Sequence, residues 1–130
     1  MSTIFTKIIK GEIPSHKVYE DDEFFAFLDI NPLAEGHTLV IPKLETDYIL
    51  DLESPLYADL WLAAKKVAKA VEKSVKCERI GFSVIGLEVP HVHIHIIPIN
   101  SVGDMNFSKE KLSFTDKEFR DLAIKIQQNI

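Results

Sequence analysis

Three histidines alternate with hydrophobic residues late in the chain. His91, His93 and His95 lie in the stretch HVHIHIIP and are three of the five histidines among 130 residues. Side chains two residues apart on a β-strand point to the same face, so this spacing predicts a row of imidazoles on the open face of a sheet. The intervening residues, expected in the core, are Val92, Ile94 and Ile96.

Three explanations of this row are open. Polar residues alternate on any exposed sheet face, so the histidines can be ordinary surface residues. A His-x-His pair can also bind zinc, but zinc needs further ligands, and the single cysteine, Cys77, has no Cys-x-x-Cys motif beside it. Neutral imidazole is a nucleophile near pH 7, and neighbouring donors can stabilise developing negative charge. That last combination suits attack on a phosphorus centre.

The composition limits the class of protein and its partners. The chain is 46% hydrophobic and 27% charged, which indicates one globular domain over residues 1–130. A formal net charge of −5 without a dense basic run argues against nucleic acid and anionic membranes as partners. One cysteine, no recognisable signal peptide and no membrane-length hydrophobic run predict a cytoplasmic protein.

Hydrophobic periodicity predicts the elements that position the histidines. A short N-terminal helix should end at Gly11, followed by a β-hairpin in HKVYEDDEFFAFLDI and a strand in HTLVIPK. The longest helix is predicted in SPLYADLWLAAKKVAKAVEKSVK, with Ser54 as N-cap and Pro55 at the first helical position. Two more strands are predicted in RIGFSVIG and VPHVHIHIIPI. A capping box of Thr115 and Glu118 should begin a last helix.

This order of elements predicts an α+β fold. We expect an antiparallel sheet of about five strands with one long helix and short terminal helices. Two polar residues before the third strand are further candidates for a site. Asp29 ends a hydrophobic strand, where a carboxylate either forms a turn or accepts two hydrogen bonds from a ribose diol. His37 follows a glycine at the start of a strand and, taken alone, is a core or surface histidine.

The histidine motif and the N-terminal half together resemble the histidine triad (HIT) family of nucleotide hydrolases and transferases. HVHIHII is similar to the family's His-x-His-x-His-x-x signature, in which x is hydrophobic, and IFTKIIKGEIPSHKVYEDDEFFAFLDINPLAEGHTLVIPK is similar to its N-terminal half. The resemblance covers residues 3–98 and leaves a C-terminal extension over 99–130 that ends in a helix. Within the family the chain is similar to the Hint-like branch, which acts on nucleoside phosphoramidates and adenylates.

The resemblance implies a role for each candidate residue. His93 corresponds to the nucleophile that attacks the α-phosphate, His95 to a residue that contacts phosphate oxygens, and His91 to a residue that supports the nucleophile. His37 corresponds to a fourth histidine that buttresses the cluster, and Asp29 to the carboxylate that holds the ribose hydroxyls. The positions at which the family builds its nucleobase pocket are Ile4, Phe5, Ile8, Ile13, Leu28 and Ile30.

The implied activity is release of a nucleoside 5′-monophosphate, preferably AMP, through a covalent nucleotidyl-histidine, without metal or cofactor. The alternatives are a nucleotide-binding regulatory module with little turnover and a dinucleoside polyphosphate hydrolase. A homodimer is also implied, paired through an edge strand and the long helix, on which Tyr57 and Trp61 lie.

The segment before the triad, SVIGLEVPH, departs from the family pattern. Gly86 fits the family's glycine, but Leu87 stands where glutamine is usual and Glu88 where a small hydroxyl or acidic residue is found. The usual residues contact the phosphate and the leaving group, so we expect an altered leaving-group preference, with dinucleoside polyphosphates as poor substrates. The N-terminal MSTIF also lacks the cysteine that serves some bacterial members as a zinc ligand.

Overall fold

The computed structural model describes residues 2–130, and a five-stranded antiparallel sheet forms its centre. The strands are β1 (Lys17–Glu20), β2 (Phe24–Leu28), β3 (Thr38–Pro42), β4 (Arg79–Ser83) and β5 (Ile94–Ile99), in the spatial order β1-β2-β3-β5-β4. The α-helices are α1 (Ile4–Ile9), α2 (Ser54–Ser74) and α3 (Asp116–Gln128). The predicted α+β architecture, with about five antiparallel strands and one long helix, is confirmed.

Helices cover both faces of this sheet. In β2, Phe24, Ala26 and Leu28 point into a large hydrophobic core shared with α2 and α3, on what we call the α2 face. Phe25 and Phe27 point to the opposite α1 face, into a smaller core shared with helix α1. Every residue of β2 and β3 is buried, because alternate side chains enter one core or the other.

Local sequence signals set the ends of the terminal helices. Thr3 caps α1 by accepting a hydrogen bond from the backbone N–H of Thr6 at 3.1 Å, and Gly11 follows the helix with a φ of +78°. At α3 the predicted capping box of Thr115 and Glu118 is present. These bonds satisfy backbone donors that the first helical turn leaves free.

The start of α2 differs from the prediction by one residue. Glu53, rather than Ser54, is the N-cap, because the carbonyl of Glu53 accepts the first helical bond from the Tyr57 N–H at 2.9 Å. Pro55 therefore takes the second helical position, where its missing N–H still costs no hydrogen bond. No helix within residues 2–130 combines the length and hydrophobicity needed to cross a membrane.

The last strand begins later than predicted. VPHVHIHIIPI was expected to be one strand, but β5 covers only Ile94–Ile99, so the first two histidines of the row precede it. The His91 N–H donates to the Val89 carbonyl at 2.8 Å in a tight turn. The Val92 N–H donates to the Thr46 carbonyl at 2.7 Å, in the loop after β3. These backbone groups are committed to turn and loop contacts instead of strand pairing.

Candidate active site

The three alternating histidines lie together on the α1 face, although only His95 is within a strand. The Phe5 ring of α1 meets two of them edge-on, at centroid distances of 5.8 Å from His91 and 5.0 Å from His93. The rings of His93 and His95 are 4.9 Å apart. The intervening residues, confirmed in the core of the α2 face, are Val92, Ile94 and Ile96.

The expectation that the imidazoles lie on an open face is wrong. Exposed fractions are 0% for His91, 7% for His93 and 8% for His95. Phe5 covers one end of the row, and Phe107 covers the other with its ring centroid 4.8 Å from that of His95. Phe107 belongs to the C-terminal extension, and nothing in its sequence context indicated this contact.

A constrained backbone turn places His37 against the row. Gly36 has a φ of +92°, and a Cβ atom there would meet the side chains of Val71, Val75 and Pro98 at 3.0–3.3 Å. Only glycine suits both conditions. The next residue, His37, then brings its Nε2 atom to 2.9 Å from Nδ1 of His95.

Backbone carbonyls determine which nitrogens of His91 and His93 carry protons. His91 Nε2 lies 2.8 Å from the Pro42 carbonyl oxygen, and His93 Nδ1 lies 2.7 Å from the carbonyl oxygen of His91. A carbonyl oxygen only accepts hydrogen bonds, so both of these nitrogens are donors. A neutral His93 therefore has its lone pair on Nε2, which makes Nε2 its nucleophilic atom.

A second set of hydrogen bonds places the proton of His95 on Nε2, the position at which His93 has its lone pair. His37 Nδ1 accepts from the Leu33 backbone N–H at 3.0 Å, so the proton of a neutral His37 is on Nε2. That Nε2–H donates to His95 Nδ1, which leaves the proton of His95 on its Nε2. His93 and His95 thus present a lone pair and an N–H donor side by side.

Burial keeps the inner rings neutral, as these assignments require. Desolvation, aided by repulsion from neighbouring histidines, lowers the pKa of His37 to about 3 and that of His95 to about 4. Burial also lowers the pKa of His91, although the Pro42 carbonyl acts in the opposite direction. Asp29 Oδ2, 3.6 Å from His37 Nε2, is consequently near a neutral ring and does not form an ion pair.

Asp29 serves as a turn former and also faces the site. Its Oδ1 accepts from the Asn31 N–H at 2.8 Å, while Oδ2 points toward His37. Burial raises the pKa of the Asp29 carboxyl, against the effect of the Asn31 bond, and the negative charge of Glu88 acts in the same direction as burial. Glu88 is therefore close enough to influence the carboxylate electrostatically.

Asp29, His37 and His95 form the one group of three potential metal ligands within residues 2–130, with ligand atoms within 4.8 Å of one another. His37 Nε2 and His95 Nδ1 are already joined by a hydrogen bond of 2.9 Å. A metal between them would have to replace that bond. Since His37 Nδ1 is also occupied by a backbone N–H, the donor set fits a hydrogen-bonded pair better than a metal site.

The residues predicted for a nucleobase pocket do not all lie together. Phe5 and Ile8 are buried in the core of the α1 face, with Ile13 half-buried against them. Ile4 and Ile30 are exposed. The remaining residue, Leu28, points to the α2 face and is buried there, so the structure does not bring it to the histidines.

The altered loop before the triad is exposed. Gly86 adopts a φ of +73°, which favours glycine. Leu87 is 88% exposed, and Glu88 is also exposed. Of the two unusual residues, Glu88 acts on the site through its negative charge, which helps to raise the pKa of Asp29.

Comparisons with known proteins show the family of this chain. A family model described as the HIT domain matches residues 10–102. An uncharacterized HIT-like protein of Borreliella burgdorferi is 38% identical, over 98% of this chain and 97% of that protein. Adenosine 5'-monophosphoramidase HNT1 of Saccharomyces cerevisiae is 43% identical, over 73% of this chain and 61% of that protein.

A solved structure extends the likeness to the whole fold. The crystal structure of a Hit-like protein involved in cell-cycle regulation from Bartonella henselae matches with a TM-score of 0.85 at 35% identity. The match covers 99% of this chain and 96% of that one. With the histidine motif, the family model and these relatives in agreement, the chain belongs to the HIT family.

Proposed function

We propose that the protein is a hydrolase that releases a nucleoside 5′-monophosphate, AMP above all, from phosphoramidates and related adenylates. The observation that carries this proposal is the pairing of a lone pair on His93 Nε2 with an N–H on His95 Nε2. A nucleophile and a donor for phosphate oxygens are what attack at phosphorus requires. The name of the yeast relative supports the choice of substrate class.

In the first step, His93 Nε2 attacks the α-phosphorus and forms a nitrogen–phosphorus bond. The bond from phosphorus to the leaving amine breaks, and the amine departs with that electron pair and takes a proton from water. The Nε2–H of His95 donates to a phosphate oxygen as negative charge builds up. Removal of one such donor typically slows a reaction by about 10²–10³-fold.

The second step returns the enzyme to its starting state. Nucleotidylated His93 carries phosphorus on Nε2 and a proton on Nδ1, so its ring is cationic. The His91 carbonyl, 2.7 Å from Nδ1, stabilises that charge. Water then attacks phosphorus and gives up a proton to the solvent, the electron pair of the broken bond returns to His93 Nε2, and the nucleoside monophosphate leaves. Splitting the displacement into two steps means that water and the leaving amine need not be activated together.

The nucleoside would bind beside the histidines. Asp29 Oδ2 is the acceptor for the ribose hydroxyls in this proposal, because its partner oxygen is already used by the turn. Exposed Ile4 and Ile30 and half-buried Ile13 offer hydrophobic surface for the base. Leu28 is left out, since it is buried on the opposite face.

A steady-state assay against adenosine phosphoramidate, an acyl-adenylate and a diadenosine polyphosphate tests this function. We expect release of AMP, fastest from the phosphoramidate. His16→Asn is a suitable control, because His16 stacks on Phe119 of α3, outside the site. Tight nucleotide binding by calorimetry without AMP release from any substrate would instead identify a binding module.

The protein is further proposed to form a homodimer through β4 and α2. β4 is an outer strand of the sheet, and its Phe82 is 42% exposed with its ring 5.8 Å from that of Trp61. Tyr57 on α2 is 39% exposed. An unpaired strand with exposed aromatic residues favours association, and two-fold pairing is the commonest form. Sedimentation at micromolar concentration should give a dimer, and a monomer there would reject this proposal.

A further inference from the structure

Hydrogen bonds connect the protein surface to His91 through the start of α1. Thr3 Oγ1 lies 2.8 Å from His91 Nδ1 and 3.3 Å from Thr6 Oγ1. Glu45 Oε1 accepts from the Thr6 hydroxyl at 2.6 Å and from the Thr3 backbone N–H at 2.9 Å. Three segments that are distant in the chain, namely α1, the loop after β3 and the histidine row, are thereby tied together.

The partners at the two ends, Glu45 and His91, determine which groups donate. The Thr6 hydroxyl donates to Glu45 and lowers the pKa of its carboxyl, so Glu45 is an acceptor. At the other end, His91 Nε2 donates to Pro42, which leaves a lone pair on Nδ1. The hydroxyl proton of Thr3 goes to that lone pair, because Nδ1 is the nearer acceptor and has no other donor within residues 2–130. The 3.3 Å contact between the two threonine oxygens then carries no proton, and Thr3 is tied to Glu45 by its backbone N–H.

We infer that Thr3, Thr6 and Glu45 are positioning residues for the reaction, which hold the ring of His91 and through it direct His93. Both nitrogens of the His91 ring are hydrogen-bonded, so the side chain and the backbone attached to it have little freedom to rotate. Its carbonyl is the group that holds the proton of His93 on Nδ1 and leaves Nε2 as the nucleophile. This inference rests on the proposed function, in which His93 attacks phosphorus.

The same side chains also hold a protonated His91. Its Nδ1–H would then donate to Thr3 Oγ1, and the Thr3 hydroxyl would turn to Thr6 Oγ1, which still donates to Glu45. Hydroxyl groups both donate and accept, so only the two proton positions change. Thr3 therefore bonds to the ring in either protonation state, and the protonated state adds the bond from Thr3 to Thr6.

Thr3→Val is the principal test, because valine keeps the shape of threonine and removes the hydroxyl. We expect kcat to fall about three- to tenfold with little change in KM, as for the loss of one hydrogen bond. Imidazole 15N spectra should show a shift of the His91 Nδ1 resonance in the variant, because its lone pair loses its donor while the Nε2–H bond to Pro42 remains. Thr3→Ser should restore both the rate and the spectrum.

A second variant separates positioning from helix capping. Thr3 also caps α1, whereas Thr6→Val breaks the link to Glu45 and leaves the Thr6 backbone N–H free to bond with Thr3. We expect a smaller loss of kcat, about two- to threefold, and a detectable change in the His91 spectrum. Thr46→Val is the matched control, since the Thr46 hydroxyl makes no hydrogen bond to residues 2–130, and it should match the wild type.

The outcomes distinguish this inference from the proposed function. An active wild type together with a Thr3→Val variant that keeps both wild-type kcat and the wild-type His91 spectrum would overturn the positioning role. A wild type that releases no nucleotide would reject the proposed function instead. In that case the nitrogen spectra still decide whether Thr3 donates a hydrogen bond to His91 Nδ1.

Discussion

Both faces of the sheet are covered by packed side chains, but they bury different kinds of residue. On the α2 face the core is built from hydrophobic side chains of the sheet, α2 and α3. On the α1 face, four histidines are buried beside the hydrophobic residues. Buried polar groups are tolerated only when they are hydrogen-bonded, and six of the eight ring nitrogens have partners within residues 2–130.

The two nitrogens without such a partner are Nε2 of His93 and Nε2 of His95. They lie on adjacent rings, and one has a lone pair while the other has a proton. The remaining hydrogen bonds of the cluster hold these two atoms in place. The α2 face therefore serves mainly the stability of the fold. On the α1 face, the buried polar groups orient the two reactive nitrogens. The predictions below test that division.

The largest effect is expected on the α1 face. His93→Ala removes the nucleophile and should lower kcat by about 10⁴-fold or more, because no other ring presents a free lone pair. Nucleotide binding should survive, since the ribose and base contacts proposed above do not involve His93. Steady-state kinetics and calorimetry measure the two effects separately. A variant that keeps activity within about tenfold of the wild type would remove His93 from the reaction.

The opposite result is expected on the α2 face. Leu60 is fully buried in the large core, so Leu60→Ala should lower the free energy of unfolding by about 2–5 kcal/mol. Activity per folded molecule should be unchanged. Urea denaturation with parallel kinetics checks this, with Leu50→Ala as control because Leu50 is 67% exposed. A large fall in kcat at full folding would show that the faces are not separate.

Burial of neutral histidines should also make stability depend on pH. The pKa of His37 is about 3 in the folded protein against an ordinary value of 6.5, so the unfolded chain takes up the proton first as pH falls. The contribution of neutral His37 to the free energy of unfolding is complete above pH 6.5. Below that pH it declines by about 1.4 kcal/mol per pH unit. His95, with a pKa of about 4, adds in the same direction.

Urea denaturation at pH 7, 6 and 5 measures this decline. These values lie above the ordinary range of carboxyl pKa values, so histidines dominate the change. His37→Gln should show a shallower dependence than the wild type, because one buried neutral ring is gone. Equal slopes for the two proteins would contradict the neutral assignment of His37.

The smallest effect is expected from the exposed loop beside the site. Glu88 adds negative charge near Asp29, and such repulsion toward a departing polyphosphate is worth about 1 kcal/mol, or about fivefold in rate. Glu88→Ser should therefore reduce the ratio of kcat/KM for adenosine phosphoramidate over diadenosine polyphosphate. Glu72→Ser, on the exposed side of α2, is the matched control. An unchanged ratio would leave Glu88 without a part in leaving-group selection.

Local patterns predicted the fold well, because local bonds create it. The Thr115–Glu118 capping box and the alternation of histidines with Ile94 and Ile96 both depend on residues close in sequence. What covers a sheet face depends on distant segments. Phe107, which packs against His95 from the C-terminal extension, therefore had no signal in the sequence.

The proton positions in the site were beyond sequence analysis for the same reason. The partners that fix them include the carbonyl of Pro42, the N–H of Leu33 and the hydroxyl of Thr3. A backbone carbonyl or N–H is present at almost every residue, so residue type does not reveal which one bonds to an imidazole. Thr3 likewise had no signal in the sequence. Leu28 was misplaced because the resemblance gave its position in the chain but not its face.

The central claim is that His93 Nε2 becomes covalently bonded to the nucleotide. Rapid mixing with adenosine phosphoramidate, quenching in denaturant at neutral pH, and mass spectrometry of the intact chain and its peptides test it most directly. We expect the added mass of one adenylyl group, located on His93 by fragmentation and lost in His93→Ala. An adduct on another histidine, or product formed in the first turnover without any adduct, would contradict the claim.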